Sequence, residues 1–267
     1  MNAVREALAA GQLQGAIDVA QQQLKKSPAD NDLRACLVEM LCLAGQLERA
    51  DDLLTALARR HPDWIPGAAN LRQLLRAQQA RLALRAGQLA DDVIAQPGPS
   101  LDALVAINFH LAQGELEDAQ EAAFALERSR VITDPAHENT WGAIRDCDDS
   151  LNGYLEGLGT DGRFYLWQWS EIDTLQLHPV TTPIERVWRR AEVGLTDGRQ
   201  GEVFLPLTYT GNTTDSYKLG RETAWQTHAP ALVTGLGLKL FLVGEAAMSL
   251  EQIAQAKCRQ PEVSDAV

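Results

Sequence analysis

Positive charge is in short supply in this chain. Across 267 residues, 24 Lys and Arg face 36 Asp and Glu, for a net charge of −12 at pH 7 and a pI near 4.9. Nucleic acids and anionic membranes need a cationic surface, so neither is expected as the main partner. Long apolar runs are missing too. No stretch approaches the ~18 consecutive apolar residues of a membrane-spanning helix, and the first residues lack the apolar core of a signal peptide. Cysteine is scarce: Cys36, Cys42, Cys147 and Cys258 form no C-x-x-C pair, which removes the usual zinc and dithiol patterns. Cys36 and Cys42 are expected to be small buried residues. Free thiols without an export signal point to the cytoplasm. The chain also has no H-E-x-x-H, G-x-S-x-G or Walker loop, and its five histidines form no tight ligand pair.

What the chain does have is a repeat. Ala10-Gly11-Gln12-Leu13 recurs as Ala44-Gly45-Gln46-Leu47, 34 residues on. Pro28 and Pro62 each follow their glycine by 17 residues, and Ala16 and Ala50 each follow by five. A glycine turn, an alanine in the second helix and an exit proline at this period are the spacing of tetratricopeptide-type helical hairpins. Helices are predicted over 2–10 and 14–26, then over 32–44 and 47–60, with Asp30 or Asn31 as a cap. A third unit is stretched. A long helix over 66–86 leads to Ala86-Gly87-Gln88-Leu89, whose second helix is cut short by Gln96-Pro97-Gly98-Pro99. A fourth, degenerate unit has helices over 101–112 and 117–130 around Gln113-Gly114-Glu115-Leu116.

Past Asp134-Pro135 the texture changes. Five of the six tryptophans lie beyond residue 140. A helix is predicted over 138–158 and a short one, capped by Ser170, over 170–177. Strands are predicted over 162–168, 187–193, 202–209, 223–227 and 237–243, separated by glycine-rich turns. The expected fold is α+β: an all-α tetratricopeptide-like repeat domain over 1–135, then a small α+β domain over 136–267 with a mostly antiparallel sheet.

Several residues could carry chemistry. Asp146 and Asp149, placed on the predicted helix at i and i+3, could share a hard cation, although a solvated acidic face is the more common outcome. Gly235-x-Gly237 lacks the third glycine of a dinucleotide loop and reads as close backbone approach or a bulge. Arginine stands beside aromatics in Arg163-Phe164-Tyr165-Leu166-Trp167, Val187-Trp188-Arg189 and Gly220-Arg221-Glu222-Thr223-Ala224-Trp225. Such sets serve recognition by stacking and forked hydrogen bonds, and serve sheet packing as well.

Taken in order, these segments resemble the ImpE/TagJ (SciE-type) family. The run from Leu33 to Ala50 is similar to its N-terminal hallmark. Gly162–Trp167, Val187-Trp188-Arg189, Asp197-Gly198 through Gly201–Pro206 with Tyr209, Leu219-Gly220-Arg221 with Thr223 and Trp225, and Gly235-x-Gly237 resemble its later motifs. The departures are Leu166-Trp167-Gln168, where the family commonly has tryptophan-valine-proline, and Glu185-Arg186 before the second tryptophan strand. The resemblance implies a cytoplasmic, non-enzymatic accessory protein of the type VI secretion system, without a cofactor. Its partners would be a helix of the small sheath subunit (TssB) and the ClpV unfoldase. A repeat scaffold suits such a helix, whose anchors fall at i, i+3, i+4 and i+7. Two faces are candidates: the concave repeat surface with Leu33, Leu37, Met40, Leu71, Leu74 and Leu75, and the second-half surface with Arg163, Trp167, Arg221 and Trp225. The competing reading is an enzyme or small-anion binder in the second half, with those arginines and tryptophans around the ligand and Asp146 or Asp149 as acid or base.

Overall fold

The computed structural model describes residues 2–130 and 140–258. Two features of the repeat recur in it. Gly11, Gly45, Gly87 and Gly114 all adopt φ between +76° and +80°, the left-handed turn that a side chain resists. They join α1 (Asn2–Ala9) to α2 (Leu13–Lys26) and α3 (Asn31–Leu43) to α4 (Leu47–Arg60), end α5 (Ile65–Arg85), and join α6 (Pro99–Gln113) to α7 (Leu116–Ser129). The alanine five residues past three of these glycines is fully buried, as Ala16, Ala50 and Ala119. Asp30 caps α3, its side chain accepting from the Leu33 N–H at 2.9 Å. Cys36 and Cys42 are buried in this core. Among the described residues no helix is long and apolar enough to cross a membrane.

The third unit has no second helix. After Gly87 the chain enters a short strand, β1 (Val93–Ala95), which joins the second half's sheet in parallel with β4 (Phe164–Gln168). That sheet has six strands in the order β1-β4-β3-β7-β6-β5, with β3 (Tyr154–Gly159), β5 (Ile172–Leu177), β6 (Trp188–Leu195) and β7 (Gln200–Pro206). All its other pairings are antiparallel. Two smaller sheets complete the half. One is β11-β10-β2, from Ala246–Met248, Phe241–Val243 and Arg145–Asp146; the other is β8-β9, from Thr223–Ala229 and Leu232–Gly237. A short helix, α8 (Asp215–Lys218), precedes β8, and α9 (Leu250–Cys258) follows β11.

The main sheet is a middle layer, and its period-two alternation shows why. Tyr154, Leu158, Phe164 and Leu166 face the repeat helices in one core. Leu155, Trp167, Val193 and Leu205 face away, into a second core with Trp141, Trp169, Phe241 and Ile253.

Three sequence expectations need correction. The helix expected over 138–158 is absent from its described part. Residues 140–143 form a single tight turn, then come β2, a loop and β3. The acidic side chains cause this. Asp146 accepts from the Asp148 N–H, and Asp148 accepts from the Ser150 N–H, both at 2.9 Å. Local bonds of this kind compete with a helical backbone, and Asn152 then takes a positive φ of 47°. The helix expected over 170–177 is instead a one-turn Trp169–Glu171 followed by β5, with β-branched Ile172 and Thr174 in the strand. The strand expected over 237–243 is broken. Gly237 ends β9 at φ +79°, where an added Cβ would lie 1.9 Å from the Glu222 carbonyl, and β10 begins only at Phe241. The bland reading of Gly235-x-Gly237 holds as well. A Cβ at Gly235 would meet the Tyr209 ring at 2.2 Å. The boundary expected at residue 135 lies outside the described residues.

Candidate functional site

The repeat face assigned to a partner is already occupied by the chain itself. Three of the first helices, α1, α3 and α5, bond to the second half. At α1, the Arg221 Nη2 donates to the Leu8 and Ala9 carbonyls at 2.8 and 2.7 Å, while Asp215 accepts from the Gln14 N–H at 2.9 Å at the start of α2. Arg221 and Asp215 thus cap the two helix ends flanking the Gly11 turn. At α3, Glu39 accepts from the Ile184 N–H at 3.1 Å. At α5 the contact is ionic and buried.

Arg81 is 2% exposed and Glu156 also 2%. Arg81 meets Glu156 through two bonds, of 3.0 and 2.8 Å, and donates a third, of 2.8 Å, to the Thr208 carbonyl. The Lys239 ammonium lies 2.5 Å from Glu156 and 3.5 Å from Asp146. The Tyr209 hydroxyl donates to Asp146 at 2.8 Å. One turn along α5, Arg85 reaches Ser150 at 2.7 Å and Asp148 at 3.2 Å. The cations Arg81, Arg85 and Lys239 therefore oppose the acids Asp146, Asp148 and Glu156. Burial would raise the Glu156 carboxyl, but Arg81 and Lys239 hold it well below the usual carboxylate range. Burial, opposed by Lys239, pushes Asp146 up to about 6.

This network also accounts for Asp146, and Asp149 pairs beside it. Asp149 accepts from the Val233 N–H at 2.7 Å and pairs with Arg145 at 2.5 Å. Both acids are spent on protein donors, and neither lines the two cavities described below.

Beside the network, Glu127 on α7 collects Asn152 at 2.6 Å, Arg145 at 3.0 Å and Arg130 at 2.9 Å. Burial raises this carboxyl, but these donors bring it down to about 2. An acid lowered in the folded state stabilises fully above its ordinary value of 4.5, and that contribution is lost as pH falls through the folded value. Glu156 acts in the same sense, and Asp146 in the opposite one between 3.8 and about 6. The urea midpoint is therefore expected to drop between about pH 4.5 and 3, and Glu127→Gln to flatten that drop. A midpoint constant across this interval would contradict the assignment.

The ten residues singled out from sequence do not form one site. Leu33, Leu37, Met40, Leu74 and Leu75 are at most 5% exposed and fill the core, and half-buried Leu71 packs against it. Trp167 is buried, its ring stacked on Tyr165 at 5.1 Å. These two rings line a hollow of about 410 Å³ on the sheet's far face, with Val193, Val203, Arg199 and Glu202 among its other walls. Arg221 is committed to α1. Arg163 is exposed near Asp161, 3.9 Å away, and Trp225 is 43% exposed, its ring edge-on to Tyr209 at 5.9 Å. The anion-binding constellation does not converge.

Sequence reading missed the apolar surface that stays open. Leu89 is 56% exposed and Phe109 46%. Together with Gly87, Leu101, Val105 and Ala106 they line a hollow of about 440 Å³, edged by Asp102 and His110. At the end of α6, the His110 Nδ1 lies 2.7 Å from Glu115. Those two with Asp118 are the group of potential metal ligands found among the described residues, with ligand atoms within 4.8 Å of one another. The His110–Glu115 contact is accounted for as an exposed side-chain hydrogen bond at the end of α6.

A repeat scaffold whose first helices are clasped by a sheet domain, with polar groups paired internally and apolar groups open on its flank, is built for binding. Comparison with known proteins places it further. The ImpE protein family matches residues 138–257, and a tetratricopeptide repeat family matches residues 7–75. The type VI secretion system accessory component TagJ of Pseudomonas aeruginosa is 27% identical over 253 residues, 91% of this chain and 87% of that protein. The crystal structure of protein VPA1032 from Vibrio parahaemolyticus superposes with a TM-score of 0.85 at 34% identity, covering 93% of this chain and 94% of that one. Residues 138–257 thus form a domain of the ImpE family.

Proposed function

We propose that the protein is a non-enzymatic accessory component of a type VI secretion system. In this reading it binds a helix of the small sheath subunit (TssB) and links the sheath to recycling by the ClpV unfoldase. The observation that carries the reading is the nearly full-length similarity to TagJ. It is supported by the tetratricopeptide repeats and by apolar side chains left open on the fourth hairpin, Phe109, Leu116 and Phe124, each 40–46% exposed. The enzyme reading draws no such support, because its candidate acids and arginines are bonded to separate partners. With a net charge of −12, association with a basic partner surface would be steered electrostatically and weakened by salt.

Calorimetry with the purified small sheath subunit tests this, against a version whose candidate helix is scrambled. Saturable binding at micromolar affinity or tighter, lost on scrambling, is expected. No heat of binding at high micromolar concentration would overturn the reading.

A further inference from the structure

The open hollow occupies the place where the repeat pattern calls for a helix. In the first two units the leucine of the Ala-Gly-Gln-Leu turn begins the second helix and is buried, Leu13 at 0% and Leu47 at 8%. The same leucine in the third copy, Leu89, starts no helix and is 56% exposed. Five residues after Gly87 stands Asp92, where the sister units have Ala16, Ala50 and Ala119. A charge cannot take that buried place, and the chain leaves for β1 instead. The slot a second helix would fill is thus left between the end of α5 and the flank of α6. Its lining follows the expected track, from Gly87 and Leu89 along Phe109, Val105 and Leu101 of α6. A Cβ at Gly87 would stand 3.0 Å from the Phe109 Cα, so α5 and α6 already touch at the slot's head.

We infer that this slot receives an amphipathic helix from a protein partner, which completes the third repeat. The occupant is specified by the chain's own second helices. Two of them, α4 and α7, bury a small residue with apolar ones four and seven places on: Ala50, Leu54 and Leu57 in α4, Ala119, Ala123 and Leu126 in α7. The partner helix therefore carries a small residue at i and apolar residues at i+4 and i+7. Its flanks are basic, because Asp102 stands exposed on the slot's lining, Asp91 is exposed two residues past Leu89, and the one basic group on the lining, His110, is paired with Glu115. Helix-in-groove docking of this kind rests on a few apolar anchors.

The inference rests on the sheath-helix reading above and is tested on the full chain with the purified small sheath subunit as probe. Phe109→Glu and Leu89→Glu alter exposed side chains, so both variants are expected to keep the wild-type urea midpoint. Their dissociation constants are expected to rise about tenfold or more, whereas Trp225→Glu, outside the slot, leaves binding unchanged. Asp102→Lys is expected to weaken binding less and to reduce its salt dependence. If folded Phe109→Glu and Leu89→Glu bind like wild type, the slot is wrong and the sheath-helix reading survives. If wild type does not bind the subunit at all, both fall.

Discussion

Truncating Arg81 to alanine is expected to cost about 3–5 kcal/mol of stability, because it strands a buried carboxylate. Glu156 is 2% exposed and takes two of its hydrogen bonds from this one guanidinium. Lys239 remains beside it, but Lys239 also serves Asp146, so one cation would face two acids. The Thr208 carbonyl loses its Arg81 bond in the same substitution. Urea unfolding read by both tryptophan fluorescence and far-ultraviolet circular dichroism is the measurement. Most tryptophans lie in the second half and most helix in the first, so the two signals report the halves separately. Wild type is expected to show coincident transitions, and Arg81→Ala a lower midpoint, because the pair joins α5 to β3. A loss below about 1 kcal/mol, the range of an exposed pair, would show that the contact is solvated. Replacing Arg81 and Glu156 together by apolar residues of similar volume should recover much of the loss, since the paired charges gain little net over a packed apolar contact.

How much of this was legible in the sequence depends on the range of the interaction. The hairpins were, because their causes are local: a left-handed glycine, a buried alanine five residues on, an aspartate cap at Asp30. Turn residues likewise marked four strands of the second half, β4, β6, β7 and β8, and the residues resembling the family lie on or beside β4, β6, β7, β8 and β9. The stretch around Asp146 was misread because its leucines and acids also fit a helical face. Asp146 and Asp148 instead bind backbone within two residues and turn the chain. The use made of the repeat face was not legible at all. Leu33, Leu37 and Met40 sit at helical spacing whether a partner or the same chain covers them. Part of the core they share, Ile184, Val187 and Trp188, is more than 140 residues away. Arg221 had the same ambiguity. Beside a tryptophan it reads as a recognition residue, and only the fold shows it on the carbonyls of α1. One signal was present and passed over: Asp92 standing where the repeat calls for alanine marks the missing helix directly.

Met40→Glu, the substitution that a partner groove on α3 would invite, is expected to unfold the protein rather than to probe an interface. Met40 is 0% exposed in a helix that buries eight of its residues, Leu33, Leu37 and Leu41 among them. Removing a buried methionine side chain alone costs about 2–5 kcal/mol. A carboxylate in its place adds the penalty of a charge with no partner. Glu39 shows the direction nearby: although it accepts from Ile184, burial leaves its carboxyl raised above the usual range. Against a total stability of about 5–15 kcal/mol, Met40→Glu should lose most of its far-ultraviolet helix signal or its cooperative melt at neutral pH, and recover part of it below about pH 5 as the new carboxyl is protonated. Phe109→Glu, on a side chain 46% exposed, should melt like wild type. Loss of sheath binding in Met40→Glu would then report lost structure, while the same loss in Phe109→Glu would report a contact. A Met40→Glu protein with the wild-type melting temperature would reverse this assignment. It would mean that the second half can leave α3, and that the repeat face opens to a partner after all.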